Sequence, residues 1–277
     1  VSLQNAAPEE ILPQLEAAQK KMTAYRKSFH IAKINLHDHC IFDLVPHTFL
    51  MEYCEIKNKI TEHVLQTHEK PPNYDHLAAI HKLLYKISHQ QLNLTLDDCK
   101  HLMYNSVARN KVQELLKNHR YIKYNQYGTI TGRLTTIRGS FPVLTIKREF
   151  RQLIKPNNDA FVSFDYNGAE IRTFLDLCEI PQPATDIHAW NMENIFADQS
   201  LTRDEAKTLF FAWLYNPESQ EIQNDNYDRE KLLDKHYKKG YINTPYGRKI
   251  GVDRRKALNY LIQSTTSDRI LAKAVLL

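Results

Sequence analysis

Apolar residues recur at three- and four-residue steps through the first part of the chain. EEILPQLEAAQKKMTAYRKSF, MEYCEIKNKITEHVLQTHE and YDHLAAIHKLLYKI each carry such a stripe. Residues 1 to about 120 therefore read as amphipathic helices broken by Pro and Asn. From about 121 the period changes. YIKYNQYGTITGRLTT is aromatic, β-branched and punctuated by Gly, the texture of strands or a hairpin. AFVSFDYNG reads as a buried strand ending at Asp165, and GAEIRTFLDL as the helix after it. Beyond 186 the pattern is again mostly helical, with loop-like interruptions at NPESQEIQNDNYD and INTPYGRKIG. The sum is an α+β chain, mostly helical, with a small strand-bearing centre.

One predicted helix, LTRDEAKTLFFAWLYNP, carries more than an apolar stripe. Thr202 and Glu205 form a capping box that starts it at Arg203, and Asn216-Pro217 stops it. Arg203, Lys207, Phe211 and Tyr215 fall four residues apart. Each step rises about 6 Å and turns about 40° beyond a full turn, so the four make a slowly winding ladder. Its two cations lie at the already positive end of the helix dipole, and like charges at this spacing repel. Spacing alone leaves two readings. The rings pack in a core while the cations face water, or the ladder receives a ligand that is anionic at one end and flat at the other, as a nucleotide is.

Composition sharpens this only in part. The 277 residues are 42% hydrophobic and 25% charged, enough for a sizeable core. No apolar run approaches the roughly 20 residues of a membrane span, and VSLQNAAPEE has neither a basic nor an apolar leader region. Four dispersed cysteines without a CxxC suit a reducing, cytoplasmic setting. The net charge of +5 is modest. However, Lys147, Arg148, Arg151 and Lys155 form one basic cluster. Lys238, Lys239, Arg248, Lys249, Arg254, Arg255 and Lys256 form another, and together they favour a polyphosphate partner. His37-Asp38-His39-Cys40 has metal-binding residue types but lies too tight to surround an ion alone, and reads as a polar loop.

The R-x3-K-x7-Y pattern of Arg203, Lys207 and Tyr215, with Phe211 between, resembles motif B of family A DNA polymerases, the class of bacterial DNA polymerase I. Other segments resemble that family in the same order. Thr131-Gly132-Arg133-Leu134-Thr135-Thr136 is similar to its TGRLSS, and FVSFDYNGAEIR to its DYSQIELR, keeping Asp165, Tyr166, Glu170 and Arg172. Asp186-Ile187-His188 matches its Asp-Ile-His, and Tyr246-Gly247-Arg248 its Phe-Gly-Arg turn. RKALNYLIQSTTSD supplies Arg255, Asn259 and Gln263. The matches span residues 131 to 268.

The resemblance implies a right-hand polymerase fold: a thumb-like helical region at 1–120, a palm at 121–185, fingers at 186–262, and a return to the palm at 263–277. It implies template-directed addition of deoxynucleotides to a primer, by a two-metal reaction using Mg²⁺. Asp165 would be a catalytic metal ligand, joined by the Tyr166 carbonyl. Lys207 would offset charge developing on the triphosphate, with Arg203 and His188 on its outer phosphates. Phe211 and Tyr215 would floor the base and sugar, and Glu170 would fill the space a ribose 2′-hydroxyl needs. Arg133, Arg255, Asn259 and Gln263 would contact primer–template DNA in the minor groove, where acceptors occupy similar places in every base pair. Taken singly, Asp165 reads as a turn or cap residue, His188 as a structural histidine, and the last four as ordinary surface or capping side chains.

The sequence also departs from the family. Asn167-Gly168-Ala169 replaces Ser-Gln-Ile, and Asn216 and Ser264 each replace a Gly. The segment between Tyr215 and Tyr246 is short, a compactness that resembles phage-encoded enzymes. The family's His-Asp-Glu motif, which carries the second metal-binding carboxylate, has no counterpart before Leu277. That carboxylate is expected from a further C-terminal segment or a second chain. Two other functions stay open: a primer–template-binding fragment without activity of its own, and a related single-subunit RNA polymerase, against which Glu170 argues. The expected setting is a bacterial or phage-infected cell.

Overall fold

The computed structural model describes residues 3–36, 39–118, 120–197, 199–216, 218–219, 222 and 226–277. His37 and Asp38 of the tight His/Asp/Cys cluster, and Pro217 after the ladder helix, lie outside these. The chain divides into two compact units, Val1–Pro72 and Asn73–Leu277. The division falls inside the stretch 1–120 that the sequence presents as one helical region.

In the first unit, α1 (Leu3–Ala6), α2 (Leu12–Ile31), α3 (Ile41–Leu44) and α4 (His47–Thr67) are helical. The stripe Leu15, Ala18, Met22 and Phe29 of α2 is buried with Phe49, Ile56 and Ile60 of α4. Their spacings of three, four and seven residues put each set on one helix face, which is why an amphipathic pair forms a core without strands.

The second unit begins with α5 (Tyr74–Ser88) and continues through β1 (Asn93–Leu94), a 3₁₀ turn at Asp97–Tyr104, α6 (Ser106–Asn118), β2 (Tyr124–Asn125) and β3 (Thr135–Thr136). A second 3₁₀ turn at Arg148–Leu153 leads into β4 (Ile154–Lys155). Then come α7 (Ala169–Leu177), α8 (Ile187–Asn194), α9 (Arg203–Tyr215), α10 (Arg229–His236), β5 (Tyr237–Lys238), β6 (Tyr241–Asn243), β7 (Lys249–Gly251) and α11 (Arg254–Leu276). The strands pair antiparallel as β1-β4, β2-β3 and β5-β6-β7. The unit is thus mainly helical with small antiparallel sheets, in keeping with an α+β class. Its largest core joins Phe174 of α7, Ile187 of α8, Phe210 and Trp213 of α9, Leu232 of α10, Ile242 of β6 and Leu261 of α11. A separate core gathers Leu102, Val112, Leu115, Phe141, Phe150 and Leu153 around the two 3₁₀ turns.

Two sequence expectations are corrected. INTPYGRKIG is not a loop but the β6–β7 hairpin, with Ile242 opposite Ile250 and both buried. Three-residue strands offer a single buried position each, too little to register as alternation. AFVSFDYNG is not a buried strand. Residues 158–166 form no strand, and Phe161, Val162 and Phe164 are 65%, 75% and 74% exposed. An apolar run shows that a segment can be covered, but a strand also needs a neighbour for its backbone groups. No strand among the described residues pairs with it.

Candidate functional site

A cleft of about 710 Å³ opens in the second unit between α7, α8, α9 and α11. Its walls include Arg133, Asp165, Tyr166, Glu170, His188, Arg203, Lys207, Phe211 and Gln263. Side chains selected from five separate segments of sequence therefore meet around one space.

The loop before α7 brings Asp165 to the cleft. Gly168 caps α7 without a side chain, at φ +63°, and a Cβ there would stand 2.3 Å from Ile187 Cγ2. Only glycine combines this left-handed backbone with so close an approach to α8. Asp165 itself caps no helix and makes no hydrogen bond or ion pair among the described residues, so its carboxylate is exposed and uncommitted. Tyr166, 41% exposed, follows it on the same wall.

Helix α9 begins with the capping box that the sequence indicates: Glu205 N donates to Thr202 Oγ1, and Thr202 N to Glu205 Oε2 at 2.8 Å. Its core face is Ala206, Phe210 and Trp213. The ladder lies one residue further round, along the edge of that face. Phe211 and Tyr215 are accordingly half-buried against the core, while Arg203 and Lys207 are exposed. The rings touch the core, as the first reading has it, and the exposed cations border an open cleft. The two rings stack 6.0 Å apart at 18°, and the His188 ring lies 6.2 Å from Phe211.

Charge around the cleft is mostly spoken for. Arg203 donates to Asp186 through Nε (3.2 Å) and Nη2 (2.8 Å). This pairing, with the Ala189 amide, holds the Asp186 carboxyl far below its usual range. Arg133 Nη2 donates to one Glu170 oxygen at 2.5 Å, and the Tyr215 hydroxyl donates to the other. Lys207 has no carboxylate partner among the described residues. His188 is 4% exposed, and its Nδ1 has no hydrogen-bond partner. Burial, reinforced by Arg203 and Lys207, pulls its pKa below the ordinary histidine value.

Three expected site residues stand off the cleft wall. Tyr215 reaches the cleft only through Glu170 and Phe211. Arg255 pairs with Glu218 at 2.7 Å, and Asn259 accepts from the Gln263 amide. Conversely, α11 contributes Thr266, Ser267, Ile270 and Leu271 as well as Gln263. These follow Gln263 at steps of three, four, seven and eight, so projecting its helical face would have found them. Leu144 also lines the cleft and carried no such signal.

As a metal site, the donor set is incomplete. No group of three or more His, Cys, Asp or Glu able to hold an ion occurs among the described residues. Asp165 can offer one carboxylate and Tyr166 a carbonyl, whereas Mg²⁺ in a two-ion site asks for more hard oxygens. Glu170 is already engaged by Arg133 and Tyr215.

No protein-family model matches this chain, and no curated protein matches it either.

Proposed function

We propose that this chain is the nucleotide-binding part of a template-directed DNA polymerase of the family A kind, built on a right-hand fold. The observation that carries the proposal is the cleft itself. Around it stand an exposed aspartate, a lysine with no carboxylate partner among the described residues, a buried histidine and the ring of Phe211, which stacks on Tyr215. A deoxynucleoside triphosphate fits this gradient, with phosphates toward Lys207 and Arg203 and the base toward Phe211 and Tyr215. Lys207 would lower the cost of charge building on the phosphates as the bond to the primer forms. Glu170, fixed by two donors, would crowd a ribose 2′-hydroxyl and so favour deoxynucleotides. Gln263 and Arg133 would face the primer–template.

Magnesium would supply charge stabilisation to the primer hydroxyl and the leaving pyrophosphate. Because one free carboxylate does not complete a two-ion site, the remaining ligands would come from outside the described cleft residues, in a further segment or a second chain. The same shortfall favours a second reading: a fragment that binds primer–template and nucleotide but does not turn over unaided. Primer extension with deoxynucleotides and Mg²⁺, beside Asp165→Ala, separates the two. Extension lost in the variant supports the polymerase. Salt-sensitive binding of primer–template without extension supports the fragment.

Among the described residues no helix is long and apolar enough to cross a membrane. The partners proposed, on the cleft alone, are primer–template DNA and deoxynucleotides.

A further inference from the structure

Asp186 stands immediately before α8 and accepts five hydrogen bonds. Its Oδ1 accepts from the amides of His188 (3.0 Å) and Ala189 (2.9 Å) and from Arg203 Nε. Its Oδ2 accepts from Arg203 Nη2 and from Asn167 Nδ2 at 2.5 Å. Asn167 is fixed in turn. Its Oδ1 accepts from the Ile187 amide at 2.8 Å, and Arg172 donates to both its side chain and its carbonyl. Arg172 is itself tied to the carbonyls of Pro183 and Thr185 at 2.8 Å each. The carboxylate is thus anchored to the backbone of α8 and to the loop that carries Asp165, independently of Arg203.

A carboxylate beside a phosphate-binding arginine could act in two ways. It could be a placeholder that surrenders the arginine when an anion arrives, or a fixed brace that aims it. The cap and the Asn167 amide would keep Asp186 in place even with Arg203 gone, which is the property of a brace. The geometry of the guanidinium agrees. Asp186 takes the Nε–Nη2 edge and leaves Nη1 for a ligand; among the described residues only exposed Asp204 forms an ion pair with it, at 3.8 Å. Arginine's planar fork is suited to such divided use, and a side chain held at one edge loses less freedom on binding at the other.

We propose that Asp186 is a positioning residue that fixes Arg203 for the outermost phosphate of a nucleoside triphosphate. Asn167 couples that brace to the Asp165 loop. The inference rests on the nucleotide reading of the cleft. Arg203 is the ladder position furthest from the rings, about 6 Å beyond Lys207. A diphosphate should therefore reach Lys207 and stop short of Arg203, and Asp186 should matter for triphosphates alone.

The test compares binding of a deoxynucleoside triphosphate and of its diphosphate to the wild-type chain, Asp186→Ser and Asp186→Asn. Serine and asparagine both cap helices well, so α8 keeps its start. Serine loses the reach to Arg203; asparagine keeps the reach but loses the charge. Triphosphate affinity should fall on the order of tenfold in the serine variant and by less in the asparagine variant. Diphosphate affinity should stay within about twofold, and thermal midpoints near wild type. Equal loss for both ligands would reduce Asp186 to a structural residue, and tighter triphosphate binding would make it a placeholder; either overturns the proposal. Failure of the wild type to prefer the triphosphate overturns it together with the phosphate role of Arg203. Failure of primer extension with that selectivity intact favours the fragment that does not turn over unaided and leaves Asp186 in its role.

Discussion

The Tyr215 hydroxyl, on the last residue of α9, donates to Glu170 near the start of α7. Burial, and then the carboxylate itself, push the tyrosine pKa well above its ordinary value. Tyr215 therefore remains a donor at any working pH, and Glu170 is held between it and Arg133 with its side chain only 19% exposed. A bulky group fixed from both sides is what rejects a ligand by shape. Glu170→Ala should raise ribonucleotide use relative to deoxynucleotide use by at least about tenfold, a difference of roughly 1.4 kcal/mol. Competitive incorporation or competitive binding of the two sugars checks this, and an unchanged ratio would remove Glu170 from sugar selection.

Gly168 predicts a stability effect. An alanine there meets Ile187 Cγ2 at 2.3 Å and requires the left-handed backbone besides. Gly168→Ala should destabilise the second unit by about 2 kcal/mol or more, since backbone strain and overlap add. Ala at Gly139, also at positive φ but with nothing within 4 Å, should cost only the conformational part, about 1 kcal/mol. Urea unfolding of the two variants gives the comparison.

Arg248 and Asp268 make a bidentate pair, at 2.6 and 2.7 Å, with Asp268 fully buried. The pair ties the β6–β7 hairpin to α11. It also presses against Gly132, where a Cβ would come 2.5 Å from Arg248 Nη2. Removing one partner of a buried pair strands the other charge, so Arg248→Ala should cost about 3–5 kcal/mol. Replacing both residues with apolar ones of similar size should cost clearly less. Denaturation of the single and double variants measures that difference.

His188 sets a pH dependence. Its folded pKa lies below the ordinary 6.5, chiefly through burial and then through Arg203. Below about pH 6.5 the unfolded chain takes a proton that the folded chain refuses. The stability associated with His188 is therefore full above that pH and declines as pH falls toward the folded pKa. His188→Gln should flatten the loss of stability between pH 7 and pH 5, measured by unfolding at each pH. A polyphosphate beside the ring reverses the local field, so ligand binding near pH 6 should take up protons. Calorimetry in buffers of different ionisation enthalpy detects that uptake.

The sequence and the structure agree best where local chemistry decides. The capping box at Thr202 and Glu205, the helical stripe of α2 and the ladder on α9 all depend on residues a turn or two apart, and all were legible. Which residues meet across the cleft was legible only through the ordered resemblance, because Arg133, Asp165, His188 and Lys207 are brought together by packing and not by spacing. What failed is equally physical. The apolar run at Phe161–Phe164 says nothing about whether a neighbouring strand exists to cover it. The partners of Arg203, Arg133 and Arg255 could not be read, since an ion pair depends on where two remote segments cross. Asn167, a departure from the family pattern, became intelligible only once its side chain was found gripping Asp186 and the Ile187 amide.

Template-dependent nucleotide binding is the measurement to make: does the cleft take a nucleotide chosen by a template base? A primer with no 3′-hydroxyl, annealed to template, is bound to the protein, and each of the four deoxynucleoside triphosphates is added with a divalent cation. No turnover is needed, so an incomplete carboxylate set does not obscure the answer. Only the nucleotide complementary to the template base should strengthen the complex, and Lys207→Ala should abolish the effect while leaving primer–template binding in place. Equal strengthening by all four, or by none, would contradict the proposed function.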